Sequence, residues 1–131
     1  MSKFLIAVAG FLAISATSAA HALDRSGKVQ TGVASYYGPG FAGKKTASGR
    51  PMNPDHMTAA SRTLPLGTTA KVTNQDNGRS AHVTVTDRGP YAKGRVLDVS
   101  PKAADQLGMK DDGVAPVKVK PVQLPPDRPK P

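Results

Sequence analysis

The sequence predicts a small all-β barrel in which strand, loop, strand and short helix occur twice. Short segments that alternate apolar and polar side chains follow one another, with glycine, proline and asparagine turn signals roughly every 8 to 12 residues. The heptapeptide GPGFAGK at 38–44 also resembles GPYAKGR at 89–95, and each follows a strand-like segment. This internal similarity favours a barrel of two pseudo-symmetric halves. If the two glycine-rich loops match only by chance, the sequence predicts the all-β class but not the two halves.

The first half of the chain contains one clear strand followed by loops. Residues 30–37 alternate in the manner of a strand. The glycine and proline content of 38–45 predicts a loop, and 46–54 continues it without a regular pattern. Residues 55–64 are expected to form a helical turn, with these side chains inward: Ala59, Ala60 and Leu64.

A hairpin opens the second half. Ala70 and Val72 lie on one face of a predicted strand at 68–73. The turn at 74–78 ends in Asn-Gly, a strong hairpin signal, so 79–86 is expected to be the antiparallel partner.

A short helix and a final strand complete the predicted barrel. Ser100 offers a capping hydroxyl before Pro101 at the first helical position, which predicts a helix over 102–107 that ends at Gly108. Residues 114–122 alternate valine with proline and lysine, which predicts a strand at a sheet edge or with its prolines at bulges.

The stretch 83–100 is the candidate for chemistry because it holds two carboxylates between strand-like segments. The alternation of valine and threonine before Asp87 predicts a strand that stops at the turn 87–90, so its carboxylate lies at a strand end. Asp98 lies in a short apolar run, where a carboxylate is costly unless hydrogen-bonded, so a fixed partner is expected. The plainer readings are that Asp87 only caps the turn and that Asp98 is structural.

The N-terminal residues predict export. Residues 1–22 carry one lysine, an apolar run at 4–14 and the ending Ala20-His21-Ala22, which is typical of a secretory signal peptide cleaved after Ala22. The apolar run is shorter than the roughly 20 residues that span a bilayer. The chain has no cysteine and therefore no disulfide, thiol nucleophile or lipidated cysteine. We expect a periplasmic or extracellular monomer without a membrane anchor.

The remaining chain is expected to hold one domain. Residues 23–29 form a polar lead-in, 30–122 the barrel, and 123–131 a proline-rich disordered tail.

The chain is basic, with 18 lysine and arginine residues against nine acidic ones and a formal net charge of +9. Such a balance fits nucleic acid, an anionic membrane or an acidic polymer such as cell wall. Export and the scarcity of aromatic residues among the basic ones argue against nucleic acid. His56 and His82 show no metal-ligand spacing, and no phosphate loop or dinucleotide fingerprint occurs, so we expect neither metal nor cofactor.

Taken in order, the motifs resemble the rare lipoprotein A family. They are TGVASYYG at 31–38, KTASG at 45–49, MTAA at 57–60, TLP at 63–65, VTN at 72–74, NGR at 77–79, DRGP at 87–90 and DVS at 98–100. The resemblance covers about residues 31–120 and implies a six-stranded double-psi β-barrel with one or two short helices, shared with expansin first domains. It also implies a peptidoglycan lytic transglycosylase that acts in cell wall organisation and prefers glycan strands without stem peptides.

Carried over by motif, the resemblance places the family's catalytic aspartate at Asp87. A hydroxyl residue and a second aspartate that matter in expansin-like relatives match Ser35 and Asp98. The family commonly has Glu where Arg50 stands and His where Ser61 stands, and this chain contains no Glu. We therefore expect catalysis by Asp87, Asp98 and Ser35, and substrate contacts from these residues: Tyr36, Tyr37, Arg50, Ser61, Arg88 and Tyr91. The tyrosines would stack on sugar rings, or else pack in the barrel core or at its rim.

A lytic transglycosylase needs fewer protein groups than a hydrolase. The 6-hydroxyl of the substrate's muramyl residue is the nucleophile, so one acid that later turns base suffices, whereas hydrolysis needs two carboxyl groups. A nearby Arg50 or Arg88 would favour the charged form of Asp87, and burial or the charge of Asp98 would favour the neutral, proton-donating form.

Two other function classes stay open. The replacement of the family's Glu and His by Arg50 and Ser61 indicates a non-catalytic peptidoglycan-binding or wall-loosening module. The third possibility is an extracellular partner-binding or inhibitory protein whose loops act on another protein.

Overall fold

Six strands close into a barrel with one short α-helix packed against it in the computed structural model, which describes residues 23–126. In chain order the elements are β1 (Gln30–Tyr36), a 3-10 turn (Pro39–Phe41), β2 (Thr58–Ala60), β3 (Thr69–Asn74), β4 (Ser80–Asp87), β5 (Arg95–Val99), α1 (Pro101–Leu107) and β6 (Val114–Gln123). The order of hydrogen-bonded strands around the barrel is β1-β5-β2-β4-β3-β6. This architecture confirms the predicted all-β, six-stranded barrel.

The parallel pairs of the barrel each contain one irregularity. β1 pairs with β5 and β2 pairs with β4 in parallel, and the other four contacts between neighbouring strands are antiparallel. Val33 and Ala34 lie opposite Arg95 and Leu97, so Val96 is an extra residue on β5. Ala59 and Ala60 lie opposite Val85 and Asp87, so Thr86 is an extra residue on β4. Such bulges change which face the following side chains occupy.

The barrel interior is filled by the small and branched side chains that alternate along each strand. On β3, β4 and β6 every second residue is buried, as the two-residue period of these segments predicts. The helix and the segments beside it close the core with these buried side chains: Leu64, Ala103, Ala104, Leu107 and Met109.

The predicted helix signals around α1 are confirmed. Ser100 is the N-cap, and its Oγ accepts a hydrogen bond from the N–H of Ala103. Pro101 occupies the first turn, where no N–H is required. Gly108 ends the helix in the left-handed conformation with φ of 67°.

The expectation of a helical turn at 55–64 is wrong. Thr58–Ala60 is instead the three-residue strand β2, which lies between β4 and β5. The N–H of Ser100 donates to the carbonyl of Thr58 at 2.8 Å, and the N–H of Thr84 donates to Met57 at 3.0 Å. Backbone pairing with residues distant in sequence therefore overrides the local pattern, although Ala59, Ala60 and Leu64 are buried as expected.

The final strand is not at an edge, because β6 pairs with both β1 and β3 and so closes the barrel. The alternative prediction holds for one proline: Pro121 lies opposite Ala70, beside a register shift between Thr69 and Ala70. β6 continues to Gln123, one residue beyond the predicted barrel limit.

The chain ends lie partly outside the structure. Pro125, after β6, accepts a hydrogen bond through its carbonyl from Arg25 Nη2 at 2.6 Å. The predicted signal peptide at 1–22 and residues 127–131 of the predicted tail lie outside the described residues. Across 23–126, no helix is both long enough and apolar enough to cross a membrane.

Candidate active site

Four residues lie in register across four neighbouring strands. Ser35 of β1 is opposite Asp98 of β5, Asp98 is opposite Ala60 of β2, and Ala60 is opposite Asp87 of β4. Because Ala34, Leu97 and Ala59 point into the core, the register row lies on the outer wall of the barrel. Two strand spacings separate the Cα atoms of the aspartates, roughly 10 Å. The small Ala60 therefore forms a floor between two carboxylates.

The bulge at Thr86 decides where Asp87 points. Simple alternation would place Asp87 on the same face as Val83 and Val85, which are buried in the barrel. The extra residue shifts Asp87 into register with Ala60 and brings it to the outer wall. Asp87 therefore lies at the end of β4, as predicted, and also faces a cleft.

Three donors hold the Asp87 carboxylate. Its Oδ1 accepts hydrogen bonds from the backbone N–H groups of Ala47 and Arg88, each at 2.9 Å. Its Oδ2 accepts a hydrogen bond from the hydroxyl of Tyr37 at 2.8 Å. Gly89, with φ of 123°, makes the turn that follows possible, because other residues rarely adopt this angle. The carboxylate is thus fixed from two loops and from the end of β1.

Ala47 reaches Asp87 because the 43–52 segment folds back on itself. Lys45 and Pro51 form an isolated antiparallel bridge, and the N–H of Thr46 donates to the carbonyl of Arg50 at 2.9 Å. At the tip, the N–H of Ser48 donates to the carbonyl of Thr86 at 3.0 Å. The tip is therefore bonded both to the bulge and to the carboxylate.

Tyr37 acts as a hydrogen-bond donor in this site. Burial raises the pKa of its hydroxyl far above the ordinary value, and the hydrogen bond to Asp87 and the charges of Asp87 and Asp98 add to this rise. The phenol therefore keeps its proton at neutral pH. Its ring also meets Phe41 edge to face, with ring centroids 5.4 Å apart.

Asp98 has the fixed partner that its apolar surroundings predicted. The Ser35 hydroxyl donates to Asp98 Oδ1, and Arg95 Nη2 lies 3.4 Å from the same oxygen. Arg95 Nη2 also donates to Ser35 Oγ, so the three side chains form one connected group. Arg95 was not among the predicted site residues, because the bulge at Val96, which brings it beside Asp98, has no signal in the local pattern.

Arg88 and Ser61 support a loop beside the cleft. Arg88 Nη1 donates to the carbonyls of Ser61 at 2.8 Å and Leu64 at 2.6 Å, and the ion pairs shorter than 4.0 Å within residues 23–126 do not include one between Arg88 and Asp87. Ser61 is only 1% exposed, and its Oγ accepts hydrogen bonds from the N–H groups of Thr63 and Leu64. Ser61 therefore does not line the cleft, whereas Arg88 does.

Arg50 also lies outside the cleft. It lines a separate hollow of about 440 Å³ together with Asn53 and His56. Within residues 23–126 the ion pairs shorter than 4.0 Å do not include one between Arg50 and Asp87. The positive charge of Arg50, which stands where the family commonly has Glu, therefore lies at another part of the surface.

The cleft itself has a volume of about 330 Å³ and an aromatic rim. Tyr91 is 77% exposed, and Phe41, which sequence reasoning did not single out, is 51% exposed. Tyr36 also lines the cleft, and its hydroxyl donates to the carbonyl of Lys110 at 3.2 Å. Among the described residues, no three acidic or histidine side chains are grouped as a metal site would need.

Comparisons with known proteins identify related chains. A profile of the family described as lytic transglycolase matches residues 29–119. The chain is 56% identical over 90 residues to a probable endolytic peptidoglycan transglycosylase, RlpA, of Nostoc sp., an alignment that covers 67% of this chain and 24% of the relative. The chain spans between about a quarter and two fifths of the length of the curated relatives it matches.

Solved structures share the architecture. The Streptomyces papain inhibitor superposes with a TM-score of 0.60 at 27% identity, covering 74% of this chain and 96% of the inhibitor. The apo expansin of Clavibacter michiganensis superposes with a TM-score of 0.59 at 25% identity, covering 76% of this chain and 52% of the expansin.

Proposed function

The chain belongs to the lytic transglycolase family of double-psi β-barrels, and from this premise we propose that it is an exported lytic transglycosylase of peptidoglycan. It cuts glycan strands without water and leaves 1,6-anhydromuramyl ends, preferably on strands that lack stem peptides. The observation that carries the proposal is the carboxylate of Asp87, which three donors fix at the wall of an open, aromatic-rimmed cleft.

Asp87 carries both proton transfers in this mechanism. In its protonated form it gives its proton to the glycosidic oxygen while the bond from that oxygen to the muramyl C1 breaks. The muramyl 6-hydroxyl then bonds to C1, and its proton passes to the Asp87 carboxylate. The bond formed within the sugar replaces the bond broken between sugars, so no water is consumed and Asp87 regains its initial state.

Tyr37 stabilises the charge that appears on Asp87 during the first transfer. Its hydroxyl lies 2.8 Å from Oδ2 and remains protonated, so its hydrogen bond strengthens as the carboxyl becomes a carboxylate. An interaction that strengthens in the transition state lowers the barrier, whereas one of constant strength does not.

Asp98 and Ser35 position the substrate. Oδ1 of Asp98 is occupied by Ser35 and Arg95, whereas its Oδ2 has no hydrogen-bond partner within the described chain. Asp98 lines the same cleft as Asp87, so Oδ2 is placed to accept a hydrogen bond from a sugar hydroxyl. The rim residues Tyr91 and Tyr36 offer ring faces to the sugars.

The two replaced family positions take indirect parts in this proposal. The hydroxyl of Ser61 stabilises the loop whose carbonyls accept hydrogen bonds from Arg88. Arg50 contacts the glycan where the strand extends past the tip of the 43–52 segment into the neighbouring hollow.

The decisive experiment incubates the exported form with glycan strands freed of stem peptides and follows 1,6-anhydro products by mass spectrometry. Asp87→Asn is the matched control, since its Oδ1 still accepts from Ala47 and Arg88 and its amide still bonds to the Tyr37 oxygen. We expect unchanged folding and a rate roughly 10²- to 10⁴-fold lower. Absence of anhydro products from the unsubstituted protein at high concentration would overturn the catalytic proposal.

A non-catalytic wall-binding module is the second candidate. It is favoured by the positions of Arg50 and Ser61, because neither supplies a second functional group to the cleft. In that case the protein pellets with insoluble peptidoglycan, Asp87→Asn pellets equally well, and neither releases product. The likeness to the papain inhibitor adds one inexpensive assay: inhibition of papain by this protein would move the assignment to a protein-binding role.

A further inference from the structure

A second charged feature lies on the outer wall of the barrel, away from the cleft. Lys71 of β3 and Lys118 and Lys120 of β6 line a groove of about 290 Å³, together with Thr73 and Val29. We call this the lysine groove. The residues that alternate with these lysines fill the core, so all three ammonium groups are directed outward.

The strand register brings the charges together. Lys71 lies directly opposite Lys120, and Lys118 lies opposite Thr73. On the other side of Lys71, the register partner is the exposed His82 of β4. Side chains directly opposite in an antiparallel pair have Cβ atoms roughly 5 Å apart, and like charges there repel.

The lysines of the groove form no ion pair with an acidic side chain in the described part of the chain. Within residues 23–126 the ion pairs shorter than 4.0 Å are Arg95 with Asp98 and Lys110 with Asp105, neither of which lies in the groove. Repulsion between opposed lysines costs stability that a bound anion would restore. An anion bound between these lysines would therefore be electrostatically favourable.

The lysine groove is separate from the cleft. In the strand order β1-β5-β2-β4-β3-β6, strands β3 and β6 stand across the barrel from β5 and β2. The latter carry Asp98 and Ala60 of the cleft. One straight segment of polymer therefore does not occupy both places.

We propose that the lysine groove binds a second glycan strand through its carboxylates. Muramyl residues without stem peptides carry a free lactyl carboxylate, so such a strand is a linear polyanion of the proposed substrate class. Lys118 and Lys120 lie two residues apart along β6, roughly 7 Å, and present successive ammonium groups along one direction. The groove lining has no aromatic side chain on which a base would stack or that would anchor in a membrane interface.

The consequence is that the barrel is held to the wall by one strand while its cleft faces another. This role goes beyond cleavage and does not require it, because neither Asp87 nor Asp98 contributes to the lysine groove.

The test compares two triple variants, both in the Asp87→Asn background so that strands stay intact. The groove variant carries K71Q, K118Q and K120Q. The control variant removes the same number of charges from exposed basic residues that line neither the groove nor the cleft and lie outside the 43–52 segment, by R79Q, K102Q and K110Q. The probes are soluble strands freed of stem peptides and the same strands with their carboxylates amidated.

We expect the groove variant to bind native strands on the order of tenfold more weakly, since each exposed ion pair contributes roughly 1.5- to 5-fold. The control variant binds native strands as tightly as the parent does. Amidation of the strands weakens their binding to the parent at least as much as the groove substitutions weaken the binding of native strands. The difference between parent and groove variant disappears at high salt, which screens exposed charges.

Equal binding by the groove and control variants would overturn the proposal, and so would undiminished binding of amidated strands. Lysine-dependent pelleting with phosphatidylglycerol vesicles, but not with glycan strands, would also overturn it in favour of a membrane surface. Removal of opposed like charges is expected to raise the melting temperature of the groove variant. If it fails to fold, the salt dependence of parent binding to native and amidated strands decides instead.

Discussion

Tyr37→Phe tests the proposed active site most directly. The substitution removes the hydroxyl that donates to Oδ2 of Asp87 at 2.8 Å and keeps the ring that packs edge to face on Phe41. A hydrogen bond to a charged group contributes roughly 1.5–3 kcal/mol. If that contribution is made mainly in the transition state, the rate falls by roughly 10- to 150-fold. Anhydro-product formation under saturating strands measures this fall.

Tyr36→Phe is the matched control for this experiment. It removes the neighbouring hydroxyl, which donates at 3.2 Å to the exposed backbone carbonyl of Lys110 and not to a carboxylate. We expect its rate to stay within about twofold of the parent, because exposed neutral hydrogen bonds contribute little. A Tyr37→Phe rate above half that of the parent would refute the role given to Tyr37.

Tyr37 also has a readout that does not need activity. Because the pKa of its hydroxyl is raised in the folded state, the unfolded chain loses this proton near pH 10.0 while the folded chain keeps it. The unfolded state then binds fewer protons, so stability falls as the pH rises above that value. Tyr37→Phe removes this component, and melting curves at alkaline pH should decline less steeply than for the parent.

Three further predictions concern stability. Ser100→Ala removes a fully buried hydroxyl that accepts from two backbone N–H groups and donates to one carbonyl, so thermal melts should show a loss of roughly 2–4 kcal/mol; a loss below about 1 kcal/mol would reduce its role to the helix cap. Arg88→Met removes the donor to two loop carbonyls and should lower the free energy of unfolding, measured with urea, by roughly 2–4 kcal/mol. An unchanged free energy of unfolding would contradict this structural role and favour a role of Arg88 in substrate binding. The pKa of Asp24 is lowered, chiefly by the hydroxyl and N–H of Ser26, so it stabilises the fold above its unfolded pKa, and this stabilisation is lost as the pH falls through the folded value. Between neutral and strongly acid pH, Asp24→Asn should therefore lose less stability than the parent, as measured by melting curves. An equal loss of stability in the two proteins would contradict this.

Local signals determined much of the barrel. The hairpin around 74–78 forms with the N–H of Gly78 bonded to the carbonyl of Asn74, and α1 begins and ends at the predicted cap and glycine. These features depend on residues close in sequence, so their chemistry is visible in a single window. The same applies to Asp87, which lies at the strand end that the following Gly-Pro turn predicted.

Features that depend on distant partners were missed. β2 has three residues and no strand pattern of its own, and it exists because β4 and β5 pair with it on both sides. β6 has the prolines of an edge strand, yet barrel closure pairs it twice. Arg95 joins the candidate site because of a bulge that local alternation does not reveal.

The sequence by itself determined the class of barrel and the family, since these are carried by alternation, turn residues and motif order. Through the family motif it also supplied Asp87 as the proposed catalytic aspartate. Only the tertiary structure decided that Asp87 faces a cleft at all. Alternation places its side chain in the core, and the bulge at Thr86 turns it outward beside Ala60 and opposite Tyr37. Tertiary structure also sends Arg50 into a different hollow, because the 43–52 segment folds back and offers a backbone N–H to the carboxylate.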